Sequence, residues 1–307
     1  MSSSIADVAE KLGAGKCLTE VDVDAIITTH DLLAVGMLAD DAKRRRHGER
    51  VTFVRVAELS MVPVATKDPG QPVPPEAVPG AAGELRIVGR PPSLDAACAF
   101  VLAAASLSGG RPVTGFLLHE VEELCASERT PLEETLARLR DAGLDLIAEA
   151  QVDRVADPEW ALSAAGRAQL GIARLTIHSA ADAERSVWIR RVAECQAVTG
   201  VVRAFAPLPR VSTGSWPSTG YDDVKQVALA RLLVDNIDSI QVDWTLHGPK
   251  LAQVALTFGA DDVDAVSAAD TPERGSRRAA LAEIRRNIEA AAFIPLERNG
   301  RFEVMGP

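Results

Sequence analysis

Residues 144–177 read LDLIAEAQVDRVADPEWALSAAGRAQLGIARLTI. The run opens on β-rich LDLIAE (144–149) and closes on β-rich IARLTI (172–177). Between them Asp157–Pro158 starts a helical pattern over 157–169, and Gly171 falls where that helix should end. An aspartate at this position caps exposed backbone N–H groups, and a proline after it presets the helical φ. Strand, helix and strand in this order form a βαβ unit, in which the two strands run parallel with a right-handed crossover.

Working outward, the same alternation covers most of the chain. Further strands are read at VTFVRV (51–56), ELRIV (84–88), VTGFLL (113–118), VVRAFA (201–206), SIQVD (239–243) and AQVALTF (252–258). Helical patterns occupy 93–107, 131–141, 181–198 and 221–236, with starts at Ser93, Thr130–Pro131, Asp182 and Asp222–Asp223, and a charged helix follows at 276–291. Gly143 and Gly200 fall at helix ends. Eight strands in this arrangement favour a closed (βα)8 TIM barrel over an open sheet. No G-x-G-x-x-G follows the first strand, which weighs against a dinucleotide-binding fold. No sequence repeat of fixed period is present.

Residues 1–50 read as an N-terminal helical cap, and 51–307 as the barrel. Within it, 62–82 is a proline-rich loop holding Pro63, Pro69, Pro72, Pro74, Pro75 and Pro79. Proline at this density removes donors and blocks a helix. The net charge of −10 excludes a general nucleic-acid surface, which leans on a basic field. Arg44, Arg45, Arg46 and His47 form a local basic run, read as the solvated end of a helix. No signal peptide or membrane span is visible, so the cytoplasm is the expected location. Cys17, Cys98, Cys125 and Cys195 are scattered without a CxxC and are read as buried free thiols.

In a barrel, chemistry lies at the C-terminal strand ends. That rule selects His119, Glu120, Glu122 and Glu123 after strand three; Glu149 and Gln151 at strand four; Thr176, His178 and Ser179 at strand five. It also selects Arg210, Ser212 and Thr213 after strand six; Gln241, Asp243 and Trp244 at strand seven; and Asp261, Asp262 and Asp264 at strand eight. His119 with Glu120 and Glu122 resembles half of a metal site but lacks the second histidine of H-E-x-x-H. His178, Glu149 and Asp243 could complete a divalent site, or these residues are polar groups at helix starts. His178 also reads as a hydrogen-bonded loop residue, His30 and His247 as helix-start residues, and His47 as surface. Trp160 and Trp188 read as core, and Gly214–Ser215–Trp216–Pro217 as a turn. There is no nucleophile elbow or Walker loop.

Several strings resemble one enzyme group. AVGMLADDAKRRRHGERVTFVR (34–55), ELRIVGRPPSLD (84–95), LARLRDAGLDLI (136–147) and AECQAVTGVVRAFAPLP (193–209) are similar to segments of radical S-adenosylmethionine enzymes. The group is that of aminofutalosine synthase and cyclic dehypoxanthinyl futalosine synthase, with the FO-synthase subunits as close relatives. TGYDDVKQVALARLLVDNIDSIQVDWTLHGPKLAQVALTFGADDV (219–263) resembles its last two strands, and EIRRNIEAAAFIPLERNGRF (283–302) its terminal helix and tail. The likeness covers most of 30–302.

The resemblance implies a radical-SAM-type TIM barrel. It also implies a CxxxCxxC after strand one, whose thiolates hold a [4Fe–4S] cluster that binds S-adenosylmethionine. Here that stretch reads VAELSMVPVATKDPGQPVPPEAVPG (56–80), without a cysteine. Serine or proline cannot replace thiolate ligation. The family's glutamate-bearing strand-four end reads Ala148–Val152, its Tyr-Gly-His element reads Ser179–Ala181, and an expected Asn is Asp261. Glu122, Gln241, Trp244, Gly248, Gln253 and Gly259 match. The expectation is a barrel without cluster or S-adenosylmethionine. It would be a non-catalytic partner of the active family synthase, or of another futalosine-pathway protein, or a binder of a nucleoside-like ligand. The alternative is an enzyme of cluster-independent acid–base or metal-assisted chemistry using His119, Glu122, Glu149, His178 and Asp243.

Overall fold

A computed structural model of the chain describes residues 3–61, 78–179, 184–211, 220–269 and 280–306. Most of the proline-rich loop, together with Ser212, Thr213 and the 214–217 turn, lies outside them. Three helices come first: α1 (Ile5–Gly13), α2 (Glu20–Thr28) and α3 (Leu32–His47). Ser4 and Asp7 form a capping box that starts α1, and Asp31 caps α3. Lys43, fully buried on α3, donates to Leu256 O at 2.5 Å and ties this cap to the barrel wall.

The barrel is built from β1 (Arg50–Ser60), β2 (Glu84–Val88), β3 (Val113–Leu117), β4 (Leu146–Gln151), β5 (Gly171–Thr176), β6 (Val202–Ala206), β7 (Ser239–Asp243) and β8 (Asp262–Ser267). Every pairing is parallel, and β1 closes the ring by pairing with both β8 and β2. The outer helices are α4 (Leu94–Leu107), α5 (Leu118–Glu128), α6 (Leu132–Asp141), α7 (Pro158–Arg167), α8 (Arg185–Thr199), α9 (Gly220–Leu233), α10 (Trp244–Leu256) and α11 (Ala280–Ala290). The expected (βα)8 barrel is therefore the fold. No helix among the described residues is long and apolar enough to cross a membrane.

Some readings need correction. Residues 252–258 are not a strand; they complete and leave α10, and the eighth strand is Asp262–Ser267. The apolar run AQVAL packs its helical face on the barrel, a periodicity that short β-rich strings mimic. Gly171 opens β5 rather than ending a helix, and Gln169 takes the left-handed backbone (φ 57°) instead. Cys17 is exposed and Cys98 only half-buried, whereas Cys125 and Cys195 are buried. Trp160 is 50% exposed on the outside of α7 rather than in the core.

One strand lies outside the ring. β9 (Ile294–Glu297) pairs with the first half of β1, Arg50–Phe53, while β2 pairs with the second half, Val56–Ser60. The tail after β9 then crosses the N-terminal ends of the strands. Arg298 is fully buried there and holds Asp262 of β8 through two contacts of 2.6 and 2.7 Å. Burial alone would lower the Arg298 pKa, but Asp262 more than offsets this and raises it. Arg298→Met strands the Asp262 carboxylate, and removing one partner of a buried pair costs roughly 3–5 kcal/mol. Urea denaturation of this variant is therefore expected to show a loss of that size; a loss below about 1 kcal/mol would show that the pair does not anchor the tail.

Candidate functional site at the barrel mouth

Strand residues two apart point to the same face. In β2, β4, β5 and β8 the inward positions include Glu84 and Arg86, Glu149 and Gln151, Arg174 and Thr176, and Asp262 and Asp264, all buried. These side chains meet in one chain of alternating charge. Arg86 binds Glu84 at 2.7 Å and grips Asp264 with two contacts at 3.0 and 2.8 Å. Asp264 also accepts from Arg174, which reaches Glu149 at 3.3 Å. Glu149 accepts from Arg210 at 2.9 Å, and Arg210 donates onward to Asp243 at 3.0 Å. Thr114, Gln151 and Thr176 supply further donors to the glutamates.

Burial would push the Glu149 carboxyl up, but Arg210 and Arg174 outweigh it and hold the pKa at about 2. Asp264 is held far below the usual carboxylate range in the same way, by Arg174 and Arg86 against its desolvation. Both are fixed anions and neither serves as a proton acceptor near neutrality. Asp243 has a second duty. It is the N-cap of α10, accepting from Leu246 N at 2.8 Å, so the last negative charge of the chain faces a helix N-terminus.

Above this chain lies a cavity of about 630 Å3, open at the C-terminal strand ends. Glu58, Phe116, Glu149, His178, Arg210 and Asp243 are among its walls. Two non-glycine wall residues, Phe116 on β3 and Ala265 on β8, hold left-handed backbone (φ 66° and 57°). Such conformations cost about 1–3 kcal/mol each and cluster at ligand clamps.

The sequence-selected residues divide. Glu149, His178 and Asp243 line the cavity. His119 is buried on α5 beside it, with Nδ1 unpartnered; burial, then Arg154, lower its pKa, which favours the neutral imidazole. His178 also has an unpartnered Nδ1, while its backbone N–H donates to Asp153 at 2.7 Å. Glu122 is half-buried under the loop after β4, where burial raises its pKa despite the N–H of Ala156, and it is not among the cavity walls. Gln241 points towards the closed end and donates to Asp262 at 2.6 Å. Trp244 opens α10 and packs against the core. Asp261 and Asp262 lie at the start of β8, far from the mouth, where Asp261 accepts from Arg231, Ser239 and the N–H of Ile240. Among the described residues no three of His, Cys, Asp and Glu are grouped to hold a metal ion.

Arg86 and Arg174 are the functional residues that sequence reasoning missed. Their signal was a lone arginine at an alternating position inside an otherwise apolar strand, ELRIV and IARLTI. The [4Fe–4S] cluster of the resembled family does not fit this donor set. The described cysteines sit before α2 and on α4, α5 and α8, away from the end of β1, and residues 56–80 contain none.

The folded Glu149 pKa lies below its ordinary value of 4.5. Its contribution to stability is thus fully present above pH 4.5 and is lost as pH falls towards 2. Acid titration followed by circular dichroism should show a loss of about 3 kcal/mol across that window. Glu149→Gln should flatten this part of the profile; an unchanged slope would remove Glu149 from the charge chain.

Comparison with known proteins agrees with this architecture. Residues 206–306 match the family model described as the CofH/MqnC C-terminal region. An aminodeoxyfutalosine synthase from Thermus thermophilus is 26% identical, over 96% of this chain and 94% of its own length. The Streptomyces coelicolor enzyme of the same name is 33% identical over 38% of this chain, so that alignment spans only 36% of the relative. A 5-amino-6-(D-ribitylamino)uracil–L-tyrosine 4-hydroxyphenyl transferase from Methanoculleus marisnigri is 26% identical over 86% of each chain. Among solved structures, methylornithine synthase superposes with a TM-score of 0.66 at 14% identity, covering 94% of this chain and 97% of that one. The chain is thus similar to aminodeoxyfutalosine synthases over nearly its whole length, and its barrel shares the fold of methylornithine synthase.

Proposed function

We propose that this chain is a non-catalytic relative of the aminofutalosine synthases. It binds a nucleoside-like small molecule at the barrel mouth, beside the active synthase of that pathway, without cluster or S-adenosylmethionine chemistry. The observation that carries the reading is the fate of the barrel interior. The stretch after β1 offers no thiolate, and the charge chain from Glu84 to Asp243 commits the inward polar groups to one another. A reaction centre needs groups held ready for substrate; here Glu149 and Asp264 are locked as anions by arginines.

The cavity itself supports a ligand. About 630 Å3 is within the usual range for small-molecule sites, and a mixed lining suits a nucleoside. Phe116, Leu117 and Leu246 offer apolar surface to a ring, while Arg210, Asp243 and Glu58 present polar groups. A second reading, cluster-independent acid–base chemistry, draws on His178, a cavity-wall residue with an unpartnered Nδ1, and on nearby His119, whose pKa burial lowers.

Aminodeoxyfutalosine, the product named by the relatives, should raise the melting temperature of the purified chain, and the chain should co-elute with the active synthase. Absence of both effects would sink the proposal. Anaerobic incubation with iron and sulfide should leave the protein without the visible absorbance of a [4Fe–4S] centre; a stable chromophore would also sink it. Turnover of the nucleoside that disappears in His178→Gln would favour the second reading.

A further inference from the structure

The opposite end of the barrel carries a second pocket, of about 470 Å3, at the N-terminal strand ends. Its lining is strongly basic although the chain as a whole carries a net charge of −10. Arginines from four separate places line it: Arg46 at the end of α3, Arg50 on β1, Arg203 on β6, and Arg298 and Arg301 in the tail. The strand order β6–β7–β8–β1 places Arg203 and Arg50 three strands apart around this end of the barrel.

The acidic groups nearby do not neutralise this set. Asp238 and Asp261 are the carboxylates of the lining. Asp261 is engaged by Arg231 behind the wall, and Asp238 is 89% exposed with only a 4.0 Å approach to Arg46. Arg298 is matched by Asp262 and Arg301 by Asp145 at 2.7 Å. Arg46 donates to the carbonyls of Ile237 and Asp235, which carry no net charge. Arg50 donates only to His47 O, at 3.2 Å, and Arg203 makes no ion pair or hydrogen bond among the described residues. Arg50 and Arg203 therefore line the pocket without a carboxylate partner among the described residues, and like charges gathered in this way repel unless an anion joins them. Phe302 closes one side, its ring 3.8 Å from the Arg298 guanidinium, which keeps that arginine flat against the wall.

We propose that this closed-end pocket is an anion site that takes a small molecule bearing two linked phosphates. Each guanidinium fork matches one phosphate bidentately, and Arg50 and Arg203 are free to grip one phosphate each. The site lies away from the strand ends where barrel chemistry occurs, so it binds without reacting. It does not depend on the reading of the mouth.

The experiment is calorimetric titration of the full chain with inorganic pyrophosphate, and with sulfate as the single-anion comparison. Pyrophosphate should bind at least about tenfold more tightly than sulfate, with an affinity that falls as salt rises. Arg50→Gln together with Arg203→Gln, both exposed positions, should weaken it by about tenfold or more, while circular dichroism shows the fold intact. Arg203→Lys should weaken it as well, because the charge stays but the fork is lost. Leu246→Trp, which narrows the mouth, should leave pyrophosphate binding unchanged. Equal affinity for sulfate and pyrophosphate, no binding, or weakening by Leu246→Trp rather than by the arginine variants would overturn the proposal.

Discussion

The interior of this barrel depends on a run of ion pairs, Glu84–Arg86–Asp264–Arg174–Glu149–Arg210–Asp243, that replaces the layers of branched apolar side chains expected there. Each buried charge carries a desolvation penalty that only close, well-made contacts repay. The alternation of sign means that every interior member touches two opposite charges. The run holds four carboxylates against three guanidinium groups, and its surplus negative charge sits at Asp243, where the α10 N-terminus and its cap hydrogen bond meet it. The chain therefore spans the barrel from β2 to β7 and ends against a helix dipole instead of an unpaired ion.

This constraint reaches other elements. Arg210 lies beyond β6, so the segment after that strand must turn over the mouth to place its guanidinium between Glu149 and Asp243. Arg210 N donates to Ile177 O and Val211 N to His178 O, which fixes the segment against the end of β5. Asp153 performs the matching role from the other side by accepting the N–H groups of His178 and Ser179. The loops around the mouth are thus built on the charge chain and on backbone pairing between neighbours. At the closed end Arg298 and Asp262 do the equivalent work, holding the tail under the strands.

The barrel was legible because its signals are local. Ser93 and Asp157 cap helices where their side chains suggest, and seven of the eight strands fall on the strings that mark them. The eighth was misplaced because AQVAL has β-rich composition within a helix, and the Gly248–Pro249 kink (φ 77°) interrupts the helical pattern just before it. The site was legible only in part. Position at a strand end found Glu149, His178, Arg210 and Asp243, but it also drew in Gln241 and Asp261, whose contacts lie deeper or at the other end. Arg86 and Arg174 escaped because the identity of a buried partner is set by register between strands distant in sequence, which no local pattern records. The same holds for Arg46 and His47: they read as a solvated helix end, yet they bond the carbonyls of Ile237 and Asp238.

Two independent features bear on the proposed reading of the barrel. One is sequence: no thiolate follows β1. The other is electrostatic: Glu149 and Asp264 are held as anions by Arg174, which bridges them. Ion pairs closed upon one another give those groups a structural task, and a chain so closed is costly to reopen, since removal of one member leaves its neighbours buried and unpaired. The interior polar groups are thus committed to one another, while the cavity above them has left-handed Phe116 and Ala265 backbone in its walls.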